Sequence, residues 1–356
     1  MVDQSLTVQE LTSPVGTPLE RETVDVTRTT FARRWLGGVH PGYLGFLAAL
    51  VAYPWLLVPI DARYPLSLAT GILLVSIFTM SLDLMLGYAG LASFGHAAFL
   101  GIGGYTAAIL SVRFGISNLA VTMAVAVVLA SLGALVLGLL ALRTSGVYFL
   151  MLTLAFAQII SAAVSKWGPV TGGTNGLPGV QSPDLFVPGW TVGDGVPFYY
   201  LTLTAAALSF FLLFRIIHSP FGRTLIGIHQ NERRMRAMGY DVRLYKLIAF
   251  WIGGMFAALA GVLYAYFNHF ISPDATGFAQ SGTAVIMVLL GGEGTLIGPV
   301  FGTVAYMLIQ NSLSSFTPHW QLILGILFVV FVMFVRGGLA GIWTRVRTRL
   351  QPRGAA

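Results

Sequence analysis

PFYYLTLTAAALSFFLLFRIIHSPFGRTLIGIHQNERRMRAMGYDVRLYKLIAFWIGGMFAALAGVLYAYFN, Pro197 to Asn268, sets one charged island between two apolar runs. From Arg215 to Lys246 the island holds seven of the chain's 20 Lys and Arg, opposed by Glu232 and Asp241. The flanking runs, Pro197–Phe214 and Leu247–Asn268, carry no Asp, Glu, Lys or Arg. Both have bilayer length, since about 20 residues rising 1.5 Å each cross a hydrocarbon core of roughly 30 Å. Two such runs around a basic loop describe a chain that crosses a membrane, turns, and crosses back.

The pattern repeats along the chain. Of 356 residues, 56% are hydrophobic and 9% charged, with a mean hydropathy of +0.80, which excludes a water-soluble globular fold. Further spans are read at Gly42–Ile60, Tyr64–Leu82, Ala97–Val112, Leu119–Leu142, Gly146–Ser165 and Ala275–Gly292. The last apolar stretch, Gly294–Val335, reads as two helices broken near Ser314–His319. The expected fold is an all-α, polytopic transmembrane bundle of about ten spans.

Positive charge orients this bundle. Arg21, Arg28, Arg33 and Arg34, the island, and five arginines from Arg336 to Arg353 together hold 16 of the 20 Lys and Arg. Both termini and the 215–246 loop are therefore assigned to the cytoplasm, which requires an even number of crossings. Residues 1–41 read as a disordered cytoplasmic tail, 42–343 as the membrane domain and 344–356 as a basic cytoplasmic tail. The net charge of +7 sits at membrane edges and calls for no nucleic acid. The lack of cysteine excludes disulfides, thiol catalysis and cysteine metal sites.

Residues 166–196, KWGPVTGGTNGLPGVQSPDLFVPGWTVGDGV, form the longest non-cytoplasmic connection, rich in Gly and Pro and therefore irregular. It divides the spans into two halves. Each half contains a glycine-dense break, Gly87–Gly95 (GYAGLASFG) and Gly291–Gly298 (GGEGTLIG). Irregular backbone at membrane depth survives where it is buried in protein or lines a wet cavity. Paired breaks in corresponding places point to a pathway between inverted halves; close glycine packing of helices is the other reading.

No phosphate-binding loop, H-E-x-x-H motif or acidic pair spaced for a metal occurs. No catalytic residue, metal ligand or cofactor is expected, and a chain without a nucleotide site cannot itself harvest ATP. Ionisable groups in apolar sequence remain as candidates: Asp83, His96, Arg143 and Glu293. Asp83 and Glu293 flank the breaks, where they either line a path or tie off freed N–H groups. His96, following Ser93, is either a hydrogen-bonded packing residue or a ligand contact. Gly101, Gly103 and Gly104 favour close helix contact there. Outside, TGGTNGL (Thr171–Leu177) is either an anion-holding nest or a tight turn displaying Thr174 and Asn175.

At 100° per residue from Arg223 to Met238, Leu225, Ile228 and Met235 share one face of a helix, with Arg223, Gln230 and Arg234 opposite. Such a helix lies along the membrane or projects into a partner's groove.

GYAGLASFGHAAFLGIGGY (Gly87–Tyr105), TGGTNGL, SPFGRTLIGIHQNERRMRAMGYDVRLYKLIAF (Ser219–Phe250) and VLLGGEGTLIGPVFG (Val288–Gly302) resemble, in this order, the LivM-like permeases of branched-chain amino acid ABC importers. The resemblance runs from about Leu66 to Arg336. It implies a non-enzymatic permease subunit in a bacterial inner membrane, paired with a second, related permease. Two cytoplasmic ATPase subunits would drive the pair, and an extracytoplasmic binding protein would deliver substrate. Phe221–Gly239 resembles the family's coupling helix, with Arg223, Asn231, Glu232, Arg233 and Gly239 at its recurrent positions. By position, Asp83, Ser93, His96, Glu293 and Thr295 would lie near the translocation path. Asp83 departs from the family, where an uncharged residue such as Asn is more usual. Urea or short-amide permeases of the same type, and an ion-gradient-driven carrier using Asp83 and Glu293, are the alternative functions. An integral membrane scaffold would leave the breaks without a role.

Overall fold

The computed structural model describes residues 41–57, 63–185, 191–334 and 338–339. Apart from Pro41, both expected tails lie outside the described residues. Two units divide between Ala49 and Leu50. The described part of the first is the opening of helix α1, Pro41–Leu57.

Helix α2, Arg63–Asp83, runs on into a π turn at Leu84–Tyr88. There follow α3 His96–Phe114, α4 Leu119–Ala141, α5 Val147–Lys166 and a single turn, α6 Gly168–Thr171. After the outer loop come α7 Val196–His218, α8 Pro220–Gln230, α9 Glu232–Ala237 and α10 Val242–Asn268. The described chain closes with α11 Phe278–Gly291, α12 Gly298–Phe316 and α13 Trp320–Phe334. The fold is an all-α bundle, with one two-residue strand pair in its loops.

Among the described residues six helices are long and apolar enough to cross a membrane: Tyr64–Tyr88, α3, α4, α5, α7 and α10. Of the about ten spans expected, six meet that length and composition among the described residues. The 14 residues of α11 reach about 21 Å, short of a core of roughly 30 Å. The 17-residue α1 and 15-residue α13 are also short. In α12 the polar run Gln310–Ser315 dilutes the apolar character.

Helix α4 is turned inside out relative to a soluble helix. Ala126, Ala130, Ala134, Gly138 and Ala141 are buried, while Val128, Leu132, Val136 and Leu139 are exposed. In lipid the large side chains need no shelter. Helices associate instead by close backbone approach across small residues. Gly138 accordingly meets Leu247 and Phe250 of α10, and Gly254 of α10 meets Ala134 and Phe99.

Helices α3 and α10 meet backbone to backbone. A methyl group on Gly103 would overlap the Ala258 carbonyl, and one on Gly261 would overlap the Leu100 carbonyl. Helix α1 shows a second device. Pro54 lacks an N–H, which frees the carbonyl of Leu50. Tyr199 Oη of α7 donates to that carbonyl at 2.8 Å.

Outside the membrane spans, Leu177–Pro178 pairs antiparallel with Phe270–Ile271. His269 makes the corner with φ 51°, a positive φ otherwise confined to glycines among the described residues. Its carbonyl accepts from Gly179 N and Val180 N, its Nδ1 lies 2.8 Å from Val180 O, and its Nε2 lies 3.1 Å from Asp194 Oδ1. These bonds hold the outer loop to the end of α10.

Candidate functional site

The two glycine breaks meet. Helix α2 widens into its π turn immediately after Asp83, and the chain unwinds over residues 89–95. A π turn is a local departure that recurs at functional sites. The second break occupies residues 292–297, between α11 and α12. Asp83 is buried, and its Oδ1 accepts from Gly294 N at 2.8 Å. Gly87 is seated so closely on Gly294 that a β-carbon would strike Gly294 N and Asp83 Oδ1. Gly253 of α10 faces Met85 and Ser81 of the same region. That residue lies about 16 Å along α10 from Val242 at 1.5 Å per residue.

Buried unwound backbone must find partners for its N–H groups. At the first break they come from side chains on three segments. Phe94 N donates to Thr153 Oγ1 of α5, Gly95 N to Ser93 Oγ, and Ala97 N to Ser281 Oγ of α11. Leu91 N reaches back to Met85 O at 2.8 Å. At the second break Thr295 Oγ1 donates to Gly292 O. Close by, Thr79 and Thr303 hydroxyls pair at 2.9 Å, tying α2 to α12. Thr153, Ser281 and the Thr79–Thr303 pair were not singled out in the sequence. Their signal is a hydroxyl inside an apolar span, which the sequence also offers at many unremarkable positions.

The path candidates separate into two groups. Asp83, Ser93 and His96 are buried, whereas Glu293 and Thr295 are exposed. His96 stacks on Phe78 with ring centroids 5.1 Å apart and meets Phe99 edge-on. Its Nε2 lies 2.8 Å from Ser81 Oγ, which itself donates to Phe78 O. The hydrogen-bonded packing reading of His96 matches this setting. Asp83 is no water-facing helix end, while Glu293 and Arg143 are exposed.

In the outer loop the nest reading gives way to the turn. Gly172 N bonds Gly168 O, Gly173 N bonds Thr171 Oγ1 and Gly176 N bonds Gly173 O, so these donors are spent internally. Thr174 and Asn175 are exposed on the turn.

The island does not form the single helix expected over Arg223–Met238. It forms α8 and α9, separated at Asn231, whose extended backbone (φ −157°) cannot continue a helix. Three capping residues set the boundaries. Ser219 Oγ accepts from Gly222 N, Asn231 Oδ1 from Arg234 N and Asp241 Oδ1 from Leu244 N. Gly239, with φ 87°, ends α9 in the left-handed conformation that favours glycine. The expected apolar face survives the break: Leu225, Ile228 and Met235 are buried, the latter two with Val242. Phe221 stacks on Tyr245 at 5.6 Å.

Glu232 binds Arg236 Nη2 at 2.6 Å and Lys246 Nζ at 2.7 Å, fastening α9 to α10. Arg223, Arg233 and Arg234 are exposed. His229, at the end of α8, packs on the first break, where a β-carbon on Gly90 would lie 3.1 Å from its Nδ1.

Residues 64–333 match the family described as branched-chain amino acid transport system / permease component. The high-affinity branched-chain amino acid transport system permease protein LivM of Escherichia coli is 30% identical over 87% of this chain and 77% of its own length. A probable branched-chain amino acid transport permease protein LivM of Methanocaldococcus jannaschii is 27% identical over 71% of this chain and 82% of its own. The ribose import permease protein RbsC of Bacillus subtilis is 26% identical over 52% of this chain and 57% of its own. No solved structure matches the chain significantly.

Proposed function

This chain belongs to the branched-chain amino acid transport permease family, and from that premise we propose that it carries branched-chain amino acids inward as half of a paired channel. It is a multi-pass membrane permease subunit of the ATP-binding-cassette type. In the proposed assembly a second, related permease completes the channel in a bacterial inner membrane. Two cytoplasmic ATPase subunits drive it, and an extracytoplasmic binding protein loads it. Ten crossings in two inverted halves, with both termini and α8–α9 in the cytoplasm, complete the proposed topology.

The observation that carries this reading is the α8–α9 hairpin. It is capped at three points and seated on its own apolar contacts, yet it displays Arg223, Arg233 and Arg234 outward. A topology anchor needs charge alone. A rigid scaffold under that charge supports a docking role, in which the exposed arginines meet the ATPase. Asn231, Glu232 and Gly239 hold the hairpin's form. Asp83, Ser93 and His96 shape the wall of the path, while Glu293 and Thr295 face it. Thr174 and Asn175 sit at the outer mouth.

The gradient-driven alternative rested on two acids within the membrane. Of these Asp83 is buried with its Oδ1 accepting from Gly294 N, while Glu293 is exposed, which favours a structural use of Asp83 over a paired-acid relay. Isolation of the tagged chain from its own membranes, with subunits identified by mass spectrometry, tests the assembly. The expected result is a complex with a second permease and two copies' worth of ATPase. A chain that transports substrate while running alone would overturn the proposal. For substrate, leucine, isoleucine and valine should compete for uptake of labelled leucine, whereas urea and ribose should not.

A further inference from the structure

The junction of the two breaks lies directly against the α8–α9 hairpin. Helix α8 packs on the π turn, and just beyond that turn the His229 ring lies over Gly90, its Nδ1 3.1 Å from where a β-carbon would stand. Gly90 holds φ 68°, so the first break turns sharply at the point of contact. Three residues earlier, Gly87 is pressed onto Gly294 of the second break, and four residues before that Asp83 bonds Gly294 N. A line therefore runs from His229 to Gly90, along three residues of chain to Gly87, and from Gly87 onto Gly294.

The contacts within and between the two breaks have little slack. Gly87 has no room for a β-carbon, and neither Gly291 nor Gly298, which bracket the second break, can accept one without striking backbone. At the seat of Gly87 on Gly294 the approach is to backbone, so the His229 side chain is the flexible link of the line. The connection to the rest of the hairpin is firm. Ile228, beside His229, is buried with Met235 and Val242, and Glu232 ties α9 to Lys246.

We propose that His229 and Asp83 are positioning residues for coupling: His229 passes movement of the α8–α9 hairpin to the first break, and Asp83 makes the second break follow. This rests on the ATP-driven permease reading and adds the route by which the hairpin reaches the membrane-embedded breaks. The breaks then move as one body, since the Asp83–Gly294 bond and the Gly87 seat join them. The route predicts that removing the ring separates ATP hydrolysis from movement without dismantling the bundle.

The test uses the complete transporter in proteoliposomes, with uptake and ATP hydrolysis measured on the same preparation. His229→Ala should lower substrate moved per ATP by at least about fivefold, the lower end of common inter-site coupling effects. His229→Phe, which retains a ring against Gly90, should restore most of that ratio. An unchanged ratio in His229→Ala would overturn the proposal, as would uptake and hydrolysis falling in equal proportion. A second readout is independent of turnover. Since the chain has no cysteine, Thr295→Cys reports the second break through thiol labelling. Its labelling rate should change when ATP is added with His229 present and stay constant in the Thr295→Cys, His229→Ala double variant; labelling that responds alike in both would also overturn it. Loss of ATP-dependent uptake with His229 in place would count against the permease reading itself, not against this route.

Discussion

Asp83 Oδ1 accepts a 2.8 Å hydrogen bond from Gly294 N across 211 residues of sequence, closing the first glycine break onto the second. The bond supplies a partner to a backbone donor that has left its helix, while Asp83 Oδ2 is buried without a hydrogen bond. The bond also explains the glycine opposite: Gly294 must present its N–H at close range, and Gly87 must leave the space free.

Replacing Asp83 with Asn retains a side-chain oxygen that accepts from Gly294 N, so thermal stability in detergent should hold near that of the parent. Asp83→Ala leaves the buried N–H unpaired and should cost about 1–3 kcal/mol. Equal melting temperatures for the Ala and parent proteins would show that Gly294 N finds another partner.

The α3–α10 contact makes a steric prediction. Gly103→Val and Gly261→Val force backbone apart at Ala258 and Leu100, and should each destabilise by about 1–3 kcal/mol or more. Gly325→Ala in α13 meets nothing within 4 Å and should be neutral or slightly stabilising, since Ala is the better helix former. A thermal-shift series in one detergent compares all three. Tolerance of valine at both α3–α10 sites would contradict the packing described.

Asn231 separates a capping role from a partner contact. Asn231→Asp keeps an acceptor for Arg234 N, whereas Asn231→Ala removes it at a cost of about 1 kcal/mol. Uptake should follow the cap, with Asp close to the parent and Ala reduced. Uptake lost equally in both would assign the Asn amide to a partner instead.

Glu232 and Arg233 are adjacent but should behave differently. Glu232, with its side chain 36% exposed, bonds Arg236 and Lys246, and Glu232→Gln should cost less than about 1 kcal/mol as expected for solvent-screened pairs. Arg233→Ala should leave melting unchanged but weaken ATPase binding, read by pull-down at low and high salt. Arg233→Ala that binds the ATPase as tightly as the parent would return the island to a topology signal.

Much of this was legible in the sequence because hydrophobic run length and glycine density are local properties. The long spans fall where their runs predict, and the chain breaks where the glycines cluster. Helical periodicity correctly put Leu225, Ile228 and Met235 on one buried face. It missed the break between them because Asn231 followed by Glu232, a helix-start signal, was read through as helix interior. Run length did not show where the helices stop: α11 ends at Gly291 after 14 residues, inside the apolar stretch. The meeting of Asp83 with Gly294, and of His229 with Gly90, was not legible at all. Those contacts depend on how distant helices pack, and nothing local to either residue encodes its partner.

The central claim is tested most directly by uptake of labelled leucine into proteoliposomes holding this chain with its co-purified subunits and the binding protein. With an ion gradient absent, enclosed or external ATP reaching the ATPase side should start uptake, and vanadate should stop it. Uptake that proceeds without ATP and follows an imposed ion gradient would contradict the account.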